Sequence, residues 1–203
     1  MVPLSIMLNW LNLLKLLGVC FFDKLNFDKH IEFILTQCSQ RVYLMKLLRD
    51  QGLSDKHLDV VFQSIIISRL CYALSTWGEF LKGKQINRVN AFCHRSVKYH
   101  ITTHLFNFQE MLDQVDNSLF KKITLSCNCL HSTFPELVNN IHNTRKRGHP
   151  YKLNRVITGL YRCSFLPRCL FAYVWSITIT CSCHYDFFFD CKNFIIFLLL
   201  LGF

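Results

Sequence analysis

The carboxylates, thiols, imidazoles and cations of this chain carry its chemistry, and their spacing limits what each can do. Two-metal phosphoryl transfer needs paired carboxylates holding two divalent ions ~4 Å apart. The chain has 13 Asp and Glu and no Asp-Asp dipeptide. Asp23 and Asp28 bracket a turn, while Asp50, Asp55 and Asp59 cluster at a joint between two apolar-periodic segments. Helix capping and ordinary surface charge account for such positions. No catalytic residue is assigned.

Eleven cysteines and nine histidines invite a zinc or disulfide reading. Cys127-x-Cys129-x-His131 is tighter than the recurrent spacing of zinc ligand pairs. Cys181-x-Cys183-His184 with Cys191 is the better cluster, but incidental thiols in an apolar tail explain it as well. Cys38, Cys71 and Cys93 fall on or near apolar helix faces, where a thiol behaves as a small hydrophobe. The cysteine count is odd and no Asn-x-Ser/Thr sequon occurs. These features favour a reducing, intracellular setting, cytoplasm or nucleus. No metal site and no cofactor is assigned, since glycine-rich phosphate loops and Gly-x-Ser-x-Gly elbows are also missing.

The cations are the better lead. Net charge is +10, and no Asp or Glu occurs between Leu137 and Tyr185. That interval holds Arg145, Lys146, Arg147, Lys152, Arg155, Arg162 and Arg168. A one-signed field attracts polyanions, nucleic acid first among them. Arg145, Lys146, Arg147, Lys152 and Arg155 are the candidate phosphate contacts, which would position a strand without reading its sequence. A solvated basic loop is the plainer alternative.

Apolar periodicity supplies the elements that would hold these groups. An apolar run interrupted by Gly18 predicts a buried strand over 16–22. Ile31, Ile34, Leu35, Cys38, Val42, Met45 and Leu48 trace one face of a long helix, with Gly52 as its C-cap. Ser54 is placed to cap a second helix carrying Leu58, Val61, Phe62, Ile65, Ile66 and Leu70. The short joint makes the pair antiparallel. A third helix over 84–99 would turn Ile86, Val89, Cys93 and Val97 inward, with Lys84, Arg88, Arg95 and Lys98 on other faces. Asn107 and Glu110 resemble a capping box for a fourth helix, bearing Leu112, Val115, Leu119 and Ile123. A short helix over 160–171 and a strand over 176–180 complete the pattern. The first residues lack the basic start and cleavage pattern of a signal peptide. The uncharged run 169–185 falls short of the ~20 apolar residues of a membrane span.

Several segments, taken in order, resemble the post-palm part of a jockey-like, non-LTR retrotransposon reverse transcriptase. Leu17-Gly18-Val19, with Lys15 before and Phe22-Asp23 after, is similar to the family's Leu-Gly-Val segment, which follows the palm and helps hold the primer end. Leu25, Phe27 and His30 match a Leu-x-Phe-x-x-His segment that opens a helix. Tyr72, Trp77 and Gly78 match a Tyr-x-x-x-x-Trp-Gly closing pattern. Leu130-His131 before Phe134-Pro135, Arg147-Gly148-His149, and Ser164-Phe165 through Arg168-Cys169-Leu170-Phe171 resemble distal pieces. The likeness covers about 160 residues and leaves 1–12 and 174–203 unmatched. The resemblance implies RNA-directed DNA polymerase ancestry, with the catalytic palm lying before this segment.

The expected fold is mainly α: a helical, thumb-like bundle preceded by a short strand, with an irregular apolar C-terminal tail. Its expected parts are an apolar leader over 1–14, a strand segment over 15–25 resembling the primer-grip region, and a helical domain over 26–126. A basic, loop-rich region over 127–173 and a Phe- and Leu-rich tail over 174–203 follow. His30 is expected to bond locally, and Tyr72 and Trp77 to anchor the core. The expected function is that of a non-catalytic remnant with weak, sequence-independent nucleic-acid binding. A small membrane-associated protein held by its apolar ends, and a helical adaptor docking through 15–78, are the competing readings.

Overall fold

The computed structural model of the chain describes residues 13–22, 25–137, 151–153 and 158–173. They divide into two units, Met1–Asp113 and Gln114–Phe203. The fold is mainly α, with a short two-stranded sheet ahead of the helices.

The predicted single strand is instead a hairpin. Strand β1 (Leu13–Leu16) pairs antiparallel with β2 (Val19–Phe22), in the register Leu16↔Val19, Lys15↔Cys20 and Leu14↔Phe21. Leu17 and Gly18 turn the chain with φ of 47° and 87°. Two successive positive φ values are the pattern of a type I′ hairpin turn, whose twist suits the flanking strands. Gly18 therefore breaks the apolar run as a turn residue, not as a point of close strand approach.

Helix α1 (Asp28–Asp50) buries His30, Ile31, Ile34, Leu35, Cys38, Val42 and Met45. The expected core residue Leu48 is exposed. Its carbonyl serves the helix end instead: Leu53 N–H donates to it at 3.1 Å, and Gly52 N–H donates to the Arg49 carbonyl at 2.9 Å. With Gly52 at φ 95°, this is a Schellman cap.

Helix α2 (Asp55–Phe62) starts after Ser54, which has the extended backbone of an N-cap. Its hydroxyl, however, lies 2.7 Å from His57 Nδ1 and caps no helix amide. A π-turn (Gln63–Ile67) and α3 (Ser68–Cys71) continue the element. The buried set is Leu58, Phe62, Ile66 and Leu70, while Ile65 is exposed and Val61 half-buried. Every step in that set is four residues. In an α-helix of 3.6 residues per turn such a series drifts about 40° per step. The wider π-turn takes up the drift and keeps Ile66 and Leu70 inward. Arg41 Nη1 donates to the Ile65 carbonyl at 3.4 Å and Arg69 Nη2 to Gln37 Oε1 at 2.6 Å. The lower α1 number pairs with the higher partner, so the two elements run antiparallel, as their short joint predicts.

The chain leaves helix at Tyr72 and the left-handed Ala73, then forms α4 (Leu74–Trp77) and a 3-10 turn (Gly78–Phe80). By length and composition alone, Asp55–Phe80 could cross a membrane. Of its apolar residues, Leu58, Phe62, Ile66, Leu70, Leu74 and Trp77 are buried inside the first unit, while Val60 and Ile65 are exposed.

Helix α5 (Gly83–Lys98) buries Gln85, Val89, Phe92, Cys93 and Ser96. The predicted face put Ile86 and Val97 inward, and both are only half-buried. The stripe is rotated because two polar side chains find bonds inside, although the buried Gln85 Oε1 has no partner among the described residues. Gln85 Nε2 donates to the Asp28 carboxylate, and Ser96 Oγ donates to the Phe92 carbonyl at 3.1 Å. A second Schellman cap closes α5, with His100 at φ 53° where glycine is usual.

Helix α6 (Phe108–Ile123) begins at Asn107, whose Oδ1 accepts from Gln109 N–H at 2.9 Å. This is an N-cap bond to the second helical amide, not the reciprocal Asn107–Glu110 pairing of the capping box that the sequence resembles. Phe108, Met111 and Leu112 are buried in the first unit; Asp116, Phe120 and Ile123 are buried in the second.

The second unit packs Phe120, Ile123, Leu130, Phe165, Cys169 and Leu170 into one core. The predicted helix over 160–171 is two helices, α7 (Gly159–Cys163) and α8 (Phe165–Tyr173). Pro167 explains the break. In a continuous helix its ring would clash with the Cys163 carbonyl and give it no N–H. Here Ser164 is extended, and Arg168 Nη1 donates to that carbonyl at 2.7 Å.

Candidate functional site

The hairpin turn organises the first group of motif residues. The Tyr72 hydroxyl donates to the Leu17 carbonyl at 2.8 Å. Trp77 Nε1 donates to the Tyr72 carbonyl at 3.1 Å. The Trp77 ring meets the His30 ring edge-on at 5.2 Å between centroids. His30 Nδ1 accepts from the backbone N–H of Cys20, beside the fully buried Val19, at 3.3 Å. Leu17, Gly18, Val19, His30, Tyr72, Trp77 and Gly78 thus form one continuous cluster. Gly78 is required by space. A Cβ there would lie 2.8 Å from Leu112 Cδ1 and 3.2 Å from Leu74 Cδ1, both buried side chains.

Two expectations change on this geometry. Trp77 is a core anchor, fully buried, but Tyr72 is 37% exposed. It is a latch from the helical layer to the hairpin, because its ring lies over the turn and not in the core. His30 bonds across ten positions to β2 rather than within its own helix start. Accepting at Nδ1 places the ring proton on Nε2. Burial, with the Arg69 charge adding, pulls its pKa down to about 4, so the imidazole is neutral.

The predicted phosphate contacts Arg145, Lys146, Arg147 and Arg155, and the motif residues Gly148 and His149, lie outside the described residues. Lys152 is exposed, and its backbone N–H donates to the Glu136 carbonyl at 2.8 Å beside the Leu137–Tyr151 bridge. Arg168 does not belong to the basic field. Its Nη2 and Nε lie 2.6 and 2.8 Å from Asp116 Oδ2, and that carboxylate is 1% exposed. An acid 52 positions away in sequence has claimed it.

Three of the thiols are inert by position. Burial pushes Cys38 and Cys71 up to about 11, and Cys93 up to about 12 with Cys38 and Cys71 nearby adding to it. Thiolate, the nucleophile and metal ligand, is scarce at such values. Among the described residues no three His, Cys, Asp or Glu side chains gather to hold a metal, so Cys127, Cys129 and His131 do not form a site. Cys181, Cys183, His184 and Cys191 lie outside the described residues, as does Asp23. The acids at the helix joint are structural: Asp59 accepts from Gln63 and Thr102, and Asp50 meets Arg49.

A groove between α1 and α5 is the feature that sequence reading missed. Its larger part, about 600 Å³, is lined by Glu32, Thr36, Ser39, Gln40, Arg88 and Arg95. A smaller part, about 190 Å³, adds Tyr43, Lys46 and Tyr99 over Phe92. Ser39 and Arg95 line both. The signal for α5 was present in the sequence, since Arg88 and Arg95 fall off the apolar stripe seven residues apart. The α1 wall was not, because only the packing of the two helices brings Tyr43 and Lys46 alongside.

Comparison of the chain with family models, curated proteins and solved structures finds no match.

Proposed function

We propose that this chain is the post-palm, thumb-like part of a jockey-like reverse transcriptase, and that it binds nucleic acid without catalysing a reaction. One observation carries the reading. Among the residues that bear the resemblance, those of the first part, from Leu17 to Gly78, meet in one cluster through the Leu17–Tyr72, Tyr72–Trp77 and His30–Trp77 contacts. Motif residues kept for ancestry alone would have no reason to touch. The segment supplies no Asp-Asp pair, so its contribution is binding. Support for a polyanionic partner comes from the acid-free interval 137–185 and the net charge of +10.

The test is a filter-binding titration of the full chain with single-stranded and duplex nucleic acid between about 50 mM and about 200 mM salt. Binding at low salt that falls steeply as salt rises is expected. Absence of binding at low salt, or affinity indifferent to salt, would overturn the reading.

A further inference from the structure

We infer that the α1–α5 groove is a binding site for a single strand of nucleic acid, with a base stacked on Tyr43 and phosphates held by Arg88, Arg95 and Lys46. The inference rests on the nucleic-acid reading above and assigns it a surface and a strand state.

Tyr43 is the starting point. It is the most solvent-exposed large aromatic of α1, at 63%, and no ring or hydrogen-bonding partner engages it among the described residues. A ring left in water on the wall of a pocket is a stacking platform without its guest. The pocket beside it, about 190 Å³, falls below the ~300 Å³ where drug-sized ligand sites begin and suits a single heterocycle. Phe92 and Val42 give that pocket an apolar floor, and the Ser39 and Ser96 hydroxyls beside it are spent on the Leu35 and Phe92 carbonyls. Tyr99 plays a different part. Lys46 Nζ sits 3.5 Å from its ring centroid, so Tyr99 holds the ammonium at the pocket rim by a cation–π contact.

The cations lie where the backbone of such a strand would run. Arg88 and Arg95 are seven residues apart on α5, two turns or ~10.5 Å along one face. Arg95 lines both the base-sized pocket and the larger groove, and Arg88 lines the larger groove only. Arg95 Nε donates to the Ala91 carbonyl at 3.3 Å, and its terminal nitrogens have no acceptor among the described residues. Arg88 has no acceptor among the described residues. Gln40 on the α1 wall can donate to sugar and phosphate oxygens, whereas the Thr36 and Ser39 hydroxyls already donate to the Glu32 and Leu35 carbonyls; Glu32 bounds the groove as its one acid. A basic track joined to an exposed aromatic is the arrangement that binds single strands with little sequence preference. A duplex offers no unstacked base to Tyr43.

The experiment is fluorescence anisotropy of the full chain with a labelled oligothymidylate of about 12 nucleotides and with the matching duplex, across salt. The single strand is expected to bind more tightly than the duplex. Tyr43→Ala is expected to weaken it about fivefold or more, while Tyr43→Phe, which keeps the ring, retains affinity. Arg95→Ala is expected to flatten the salt slope by about 0.7 per lost phosphate contact. Equal affinity for duplex, indifference to Tyr43→Ala, or displacement of the oligonucleotide by polyaspartate of matched charge would overturn the groove assignment and leave the broader phosphate-backbone reading standing. Binding of neither nucleic acid at low salt would overturn both.

Discussion

The Tyr72 hydroxyl donates to the carbonyl of Leu17 across 55 positions of sequence. This single bond ties the tip of the hairpin to the end of α3. A two-stranded hairpin is marginal by itself in water, and here tertiary contacts hold it. Tyr72→Phe is expected to cost about 0.5–1.5 kcal/mol, the net worth of one hydrogen bond. Amide exchange along β1 and β2 should rise by more than exchange in α1. Equal protection in both proteins would show that the latch contributes nothing.

The same turn carries strain that a substitution can relieve. Leu17 sits at φ 47°, a conformation that costs an ordinary L-residue about 1–2 kcal/mol. Asn-Gly is the preferred pair for a type I′ turn. Leu17→Asn is expected to stabilise the first unit by about 1 kcal/mol, because little packing is lost from an exposed side chain and the accepting carbonyl is unchanged. Chemical denaturation should show the midpoint shifting upward with the same slope. A fall in the midpoint would count against a type I′ turn here.

Gly78 is expected to tolerate no side chain. Its backbone is helical, so alanine has no conformational objection there; the obstacle is Leu112 Cδ1 at 2.8 Å from the added Cβ. Leu112 and Leu74 are both 1% exposed and have little room to move. Overpacking of this kind costs about 1–3 kcal/mol. Gly78→Ala should unfold at lower urea, and adding Leu112→Ala should recover part of the loss. Additive destabilisation in the double variant would reject a Gly78–Leu112 clash.

Arg168→Met is expected to be among the most damaging changes in the second unit. It removes the guanidinium that faces both the buried Asp116 carboxylate and the Cys163 carbonyl that Pro167 leaves without an N–H. Breaking a buried ion pair from one side costs about 3–5 kcal/mol. Asp116→Asn in the same background should restore stability, since it removes the uncompensated charge. Thermal unfolding of the parent and the two variants measures this, and a single Arg168→Met as stable as the parent would overturn it.

His30 sets an acid limit. Its pKa is about 4 in the folded chain against about 6.5 for an ordinary histidine. The unfolded chain therefore binds the extra proton between those values, and stability falls as pH drops from 6.5 towards 4. The neutral side of the window, above 6.5, retains the full contribution, on the order of 3 kcal/mol. His30→Leu is expected to flatten this part of the stability–pH curve relative to the parent. Parallel curves for the two proteins would sink the assignment.

Much of the fold follows from local pattern. The six-member stripe from Ile31 to Met45, the Gly52 cap and the Asn107 cap are all short-range, and each depends on residues within a turn or two. The same holds for the missing Asp-Asp pair, which is a property of the chain before it folds. Periodicity also found α5, but not its exact face, because Gln85 and Ser96 are buried through bonds to Asp28 and Phe92.

What the tertiary structure decided lies at long sequence separation. Gly18 reads as a strand glycine until Leu17 is also seen at positive φ and the pair becomes a turn. Arg168 counted as one more cation in an acid-free stretch until Asp116 was found facing it from 52 positions away. Tyr43 and Arg95 are unremarkable surface residues on two separate helices until packing makes them walls of one groove. Hydrophobic spacing reports which side of an element is buried. Pairing between distant side chains costs chain entropy that only the assembled core can offset, so no local pattern encodes it.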